Sequence, residues 1–161
     1  DGSARNVPVK AIALVMNEPI GNCGVICDDK YPLLGFISAM APLFATGNRS
    51  IIIPSELFSP VVTDFYQVLD TSDVPPGSVN IITGKHSDLA LEMASHMDIE
   101  SVWSFSTSDI SKDIEKASSS NLKRTWVNNG FTRDWYNEEG FGKEFLINST
   151  ENKTIWIPYG E

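Results

Sequence analysis

A chain of 161 residues, 42% hydrophobic and 20% charged, is long enough for one domain with a substantial core. Its net charge of −9, spread along the chain with no Lys/Arg cluster, excludes a phosphate-tracking nucleic-acid surface. No apolar run reaches membrane-spanning length, so no membrane partner is expected.

The opening DGSARN has no signal-peptide character. The sequons at Asn48, Asn148 and Asn152 are therefore read as chance, and the chain as cytoplasmic. The first strand is read in VPVKAIALVM and the second in GNCGVIC, where Gly21 and Gly24 mark loose or closely approached points. Cys23 and Cys27, four apart in a strand, share a side at about 13 Å, too far for a disulfide. They read as free buried thiols, which suits a reducing compartment. Next comes a helix from Pro32, PLLGFISAMAPLFA, stopped by Gly47. It is apolar on nearly every side, which predicts burial between layers, and Pro42 predicts a kink or division.

RSIIIP is a strand with the unbroken apolar character of a parallel sheet covered on both faces. SPVVTDFYQVLD is a helix with Ser59 as N-cap and Pro60 at its first position. SVNIITG is a strand, SDLALEMASHM a helix capped by Ser87, and SVWSFS a strand. TSDISKDIEKASSS is a helix capped near Thr107 or Ser108, its mixed charge a solvated face, and LKRTWVNN is a strand. Beyond Gly130 the pattern weakens: RDWYNEEGFG reads as an irregular polar loop, KEFLINST as one or two helical turns, and TIWIPYGE as a terminal strand.

Strands alternating with helices over short crossovers predict an α/β fold, a Rossmann-like, doubly wound, mainly parallel sheet with helices on both faces. Residues 1–161 form one domain. Ligands in such sheets bind beyond the carboxyl ends of the strands. That directs attention to Asp28-Asp29-Lys30, Pro54-Ser55-Glu56, Gly84-Lys85-His86 and Ser106-Thr107-Ser108. His86 and His96 lack metal-ligand spacing and read as solvated surface. Asp28, Asp29 and Lys30 read as a surface ion cluster. Trp103, Trp126, Trp135 and Trp156 read as core.

PIGNCGVICDDKYPLL, MAPLFATGNRSIIIPSE, DVPPGSVNIITG and DIESVWSFSTSDIS, in this order and spacing, resemble the dinucleotide-binding domain of the aldehyde dehydrogenase superfamily over about residues 19–111. NLKRTWVNNGFTRDW followed by TIWIPYGE is similar to the degenerate second unit of aldehyde dehydrogenase family 16. The resemblance implies an NAD- or NADP-dependent oxidoreductase whose thiolate forms a thioester. It also implies a cofactor corner at Ser55, Glu56, Ser106, Thr107 and Ser108. Several positions are altered. Ile53 stands where the family has the lysine of Lys-Pro-Ser-Glu, which shares the ribose hydroxyls with the glutamate. Ser106 stands at the glycine of Gly-Ser-Thr, which opens the pyrophosphate-binding helix, and Lys30 stands at the oxyanion-hole asparagine. Trp126-Val127-Asn128-Asn129-Gly130 replaces the motif with the general-base glutamate, and no cysteine follows Cys27.

The expectation is therefore a degenerate, non-catalytic domain in which NAD or NADP binding is weak or lost. Its partners would be the remainder of its parent chain or further copies, and its role structural. Two alternatives stand beside it. One is a still-competent cofactor-binding domain separated from its catalytic domain. The other is an acidic module that recruits a basic protein through Asp28 and Asp29.

Overall fold

The computed structural model describes residues 2–159. Its elements follow in chain order as β1 (Ser3–Arg5), β2 (Ala11–Pro19), β3 (Asn22–Ile26), α1 (Pro32–Ala45), β4 (Arg49–Ile53), α2 (Ser59–Asp70) and β5 (Val79–Ile81). Then come α3 (His86–Ser95), β6 (Ser101–Ser104), α4 (Ser111–Ser118), β7 (Arg124–Val127), α5 (Glu138–Phe141), α6 (Lys143–Asn148) and β8 (Thr150–Pro158).

Five strands form a parallel sheet in the order β5-β4-β3-β6-β7. Strand alternation sends successive side chains to opposite faces, and two separate cores result. Cys23, Val25 and Cys27, Ile52, and Trp103 and Phe105 point to one face, packing with Phe36, Ala39 and Leu43 of α1 and Val62 and Leu69 of α2. Ile26, Ile53 and Val102 point to the other, packing with Ala90, Met93 and Ala94 of α3 and Ile114 of α4. The unbroken apolar runs of β3, β4 and β6 are what this two-sided burial requires. Gly24 lets α3 approach closely: a Cβ there would lie 2.1 Å from the Met93 sulfur. The doubly wound expectation holds.

The first and last long strands depart from it. β2 and β8 leave the parallel sheet and pair antiparallel with each other, with β1 on the far edge of β2. β2 buries only Ala13 and Val15 and carries the polar Asn17 and Glu18, a pattern for a sheet covered on one face. Trp156, expected in the core, is 55% exposed on this outer sheet.

α1 also differs from expectation. It runs unbroken through Pro42 and buries one stripe, Gly35, Phe36, Ala39 and Leu43, rather than all sides. Leu34, Ile37, Ala41 and Ala45 line an open apolar hollow of about 830 Å³ against Phe141 and Leu146. No described helix is long and apolar enough to cross a membrane.

Candidate functional site

The chain leaves β3 toward β4 and β5 on one side and later returns to β6 and β7 on the other, so the direction of winding switches beside β3. A ligand crevice in this class opens over that switch, at the carboxyl ends of β4, β3 and β6. Backbone bonds continue the sheet into it: the Cys27 amide donates to the Ile53 carbonyl at 2.9 Å and the Phe105 amide to the Ile26 carbonyl at 2.9 Å.

Ser55 is fully buried, and its hydroxyl donates to the Asp29 carbonyl at 3.3 Å. The same oxygen accepts the Leu57 and Phe58 amides, both at 3.2 Å. This bends the chain into α2, whose N-cap is Phe58, with Ser59 and Pro60 already inside the helix. Glu56 donates its amide to Asp29 Oδ1 at 2.7 Å and accepts the His86 amide on Oε1 at 2.5 Å. α3 therefore begins at His86, one residue before the expected Ser87 cap, and its first N–H is satisfied by a carboxylate from the strand-end turn.

His86 is the largest correction. Expected on the surface, it is 0% exposed. Its Nε2 lies 2.8 Å from the Pro54 carbonyl oxygen. That oxygen only accepts, so Nε2 holds a proton, while Nδ1 hydrogen-bonds with the Ser106 hydroxyl at 3.0 Å. Asp29 Oδ2 and Glu56 Oε1 each stand 4.0 Å from Nδ1. The spacing His86, Ala90, Met93, Ala94 is the buried stripe of an amphipathic helix, a signal that isolation from other histidines obscured.

Ser106 is buried, and its hydroxyl also accepts the Ser108 amide at 3.2 Å, closing a local turn. Thr107 and Ser108 are exposed above it. Neither caps α4, which starts at Ser111 with Ile110 as N-cap, so the expected anion-binding helix terminus is not at 106–108. The structure thus brings Glu56 and Ser106 to His86, keeps Ser55 within the turn that presents Pro54 and Glu56, and leaves Thr107 and Ser108 exposed. Ile53 is 1% exposed in the core under α3 and offers the corner no donor.

The α1 side of the crevice is closed by the tail. Asp28, expected in a surface ion cluster, is buried: Oδ2 accepts the Trp135 indole N–H at 2.9 Å and Oδ1 the Lys30 amide at 2.8 Å. Lys30 itself is exposed, its ammonium 5.3 Å from the Tyr31 ring centre. Trp135, read as a core residue although its stretch reads as a polar loop, is 1% exposed and edge-on to Phe105 at 5.3 Å. Arg133 lies over Phe105, Trp126 and Phe145, holding this tail to the sheet.

Both thiols are enclosed. Burial, then the charge of Glu100, pushes Cys23 from 9.0 up to about 12, with Arg124 opposing. Burial, then Asp28 and Asp29, pushes Cys27 higher still. An unfolded thiol ionises near 9.0, so the protonated native form of Cys23 supports folding below that value and loses its advantage as pH rises from 9.0 toward 12. The urea midpoint is expected to fall across that window, and by less in Cys23→Ala. Thiol reagents should label neither cysteine until the chain unfolds. Among the described residues no group of His, Cys, Asp and Glu is placed to hold a metal.

At these strand ends Glu56 Oε1 caps α3, and the His86 imidazole bridges the Pro54 carbonyl and the Ser106 hydroxyl.

A parallel sheet with this order, helices on both faces and a polar corner at the switch point defines a Rossmann-like dinucleotide-binding type of domain. Comparison with known proteins makes the assignment specific: the aldehyde dehydrogenase family model matches residues 2–132, and the chain belongs to that family. It is similar to aldehyde dehydrogenase 1A1 of Equus caballus, 34% identical over 115 residues, covering 71% of this chain and 23% of that protein. It is also similar to omega-crystallin of Enteroctopus dofleini, 31% identical over 123 residues, covering 74% and 25%. Among solved structures, the P. syringae indole-3-acetaldehyde dehydrogenase in complex with NAD+ and IAA superposes with a TM-score of 0.74 at 25% identity, covering 79% of this chain and 26% of that one. PnpE from Pseudomonas sp. WBC-3 gives 0.74 at 28%, with the same coverage. The chain spans about a quarter of the length of the curated relatives it matches.

Proposed function

We propose that this is a degenerate, non-catalytic dinucleotide-binding domain of an aldehyde dehydrogenase, of the kind found as the second unit of family 16 chains. It would act in the cytoplasm as a structural or assembly element for the rest of its parent chain or for further copies. The observation that carries this is the state of the thiols. The family's chemistry requires a thiolate at the substrate carbonyl. Cys23 and Cys27 are enclosed in the sheet core with their ionisation pushed up. The altered corner supports the same reading, with NAD or NADP binding weak or lost.

A second reading, a cofactor site that still operates, is favoured by Thr107 and Ser108, exposed on the rim, and by Glu56, whose side chain is 36% exposed. It requires His86 to move. The reading of an acidic strand-end face that recruits a basic partner loses Asp28, which is committed to Trp135. Calorimetric titration of the chain with NAD and with NADP, alongside an aldehyde oxidation assay, tests the proposal. The expected result is no NADH formation and no saturable binding at millimolar cofactor. Turnover by this chain would overturn the proposal, and saturable binding weakened by Glu56→Ala would favour the second reading.

A further inference from the structure

We infer that His86 decides whether this corner takes a nucleotide: its imidazole occupies the crevice as a built-in ligand and uses the polar groups that β4, β3 and β6 present there. The inference rests on the reading that the native corner is closed. Each strand end contributes one side of the enclosure. Pro54, after β4, accepts from Nε2, Ser106, after β6, hydrogen-bonds with Nδ1, and Asp29, after β3, stands 4.0 Å from Nδ1. The ring therefore bridges the strands that flank β3, across the place where ligands of this sheet class lie.

The backbone of the same residue completes the closure. Its N–H is the first of α3 and would face an incoming phosphate, but Glu56 holds it at 2.5 Å and brings a negative charge to that terminus. Glu56 is thereby turned from a ribose acceptor into a helix cap. Every polar atom of His86 described here has a partner, and the ring is wholly enclosed, so no unmet bond draws a ligand in. Removing the ring would leave the Pro54 carbonyl, the Ser106 hydroxyl and the Asp29 and Glu56 carboxylates lining the vacated volume. That set is rich in acceptors and suits the diol of a ribose. The ligand class is thus a ribonucleotide held by its sugar diol rather than by its phosphates, with ADP as the probe.

The test is an NMR titration of the full chain and of His86→Ala with ADP. Alanine keeps helix propensity at the first position of α3. The expected result is no saturable shift for the native chain and saturable binding by His86→Ala, at least tenfold tighter. The shifts should be centred on residues 54–56 and 106–108, and added imidazole should reverse them by refilling the space. A folded variant that stays silent, or shifts elsewhere, overturns the inference while leaving the non-catalytic reading intact. Native-chain binding at the corner overturns the inference and favours the reading of a cofactor site that still operates. If His86→Ala does not fold alone, ADP that restores the fold by mass action supports the inference. ADP without effect overturns it, whether or not imidazole restores the fold.

Discussion

Trp135→Ala is expected to destabilise the chain by about 4 kcal/mol or more, the largest single effect at any side chain outside the sheet. Deleting a fully buried tryptophan typically costs about 3–5 kcal/mol through lost transfer energy and the cavity left behind. Here the loss also strips Asp28 Oδ2 of its donor, and an unsatisfied buried acceptor adds about 1–3 kcal/mol. Trp135→Phe separates the contributions. It keeps a smaller ring near Phe105 but loses the N–H and the outer indole ring that lies against Gly35. Its cost should fall below that of the alanine variant yet exceed the loss of about 1–3 kcal/mol from the unmet Asp28 acceptor alone. Urea unfolding of both variants measures the difference. In the alanine variant Cys27 should also become labelled by thiol reagents before global unfolding, because the tail covers the strand end that carries it. A cost below about 1 kcal/mol would mean that the tail does not dock as described.

Asn48→Ala should cost about 2–4 kcal/mol, a large effect for one amide. Asn48 is buried; its Oδ1 accepts the Gly21 amide at 2.9 Å, and its Nδ2 donates to the Ser149 carbonyl at 2.8 Å and to Thr46 Oγ1 at 2.8 Å. Alanine would leave one backbone donor and one backbone acceptor unmet, at about 1–3 kcal/mol each if water does not reach them. Asn48→Asp should be no milder, since a carboxylate facing the Ser149 and Leu43 carbonyls replaces a donor with a charge. Thermal unfolding of the two variants checks this. The same burial leaves no room for a glycan on Asn48 in the folded chain.

The parallel sheet was legible because β3, β4 and β6 carry the continuous apolar runs that two-sided burial demands. Pro54 and Ser55 after β4 and Ser106 after β6 marked those strand ends, whereas β3 runs into Cys27 and Asp28 with no such residue. The helix starts were less legible, for a physical reason: their caps are not local. α3 is capped by Glu56 from another turn, and α2 is entered through Ser55 rather than Ser59. Local grammar cannot see a partner thirty residues away. Trp135 is buried, as its reading as a core residue expects, but its polar neighbours Arg133, Asp134 and Asn137 hide what it docks on, Asp28 and Phe105. His86 is different. Its place on the apolar stripe of α3 was readable from spacing, and judging it as a metal ligand or a free surface residue hid the third possibility, a buried polar hub. The pairing of β2 with β8 joins segments from opposite ends of the sequence, and no local pattern specifies such a partner.

That pairing gives Asn48 a part in the order of folding. The ladder runs from Pro19↔Thr150 out to Ala11↔Pro158. Closing so long a loop from an open chain costs about 4 kcal/mol of entropy. Once the parallel sheet has formed and α6 has docked on α1, the loop is already closed, because Gly21 and Ser149 sit beside the first rung and Asn48 bonds both. The outer sheet then behaves as a zipper with a pinned root: it nucleates at Pro19 and Thr150, propagates outward rung by rung, and frays first at Ala11 and Pro158.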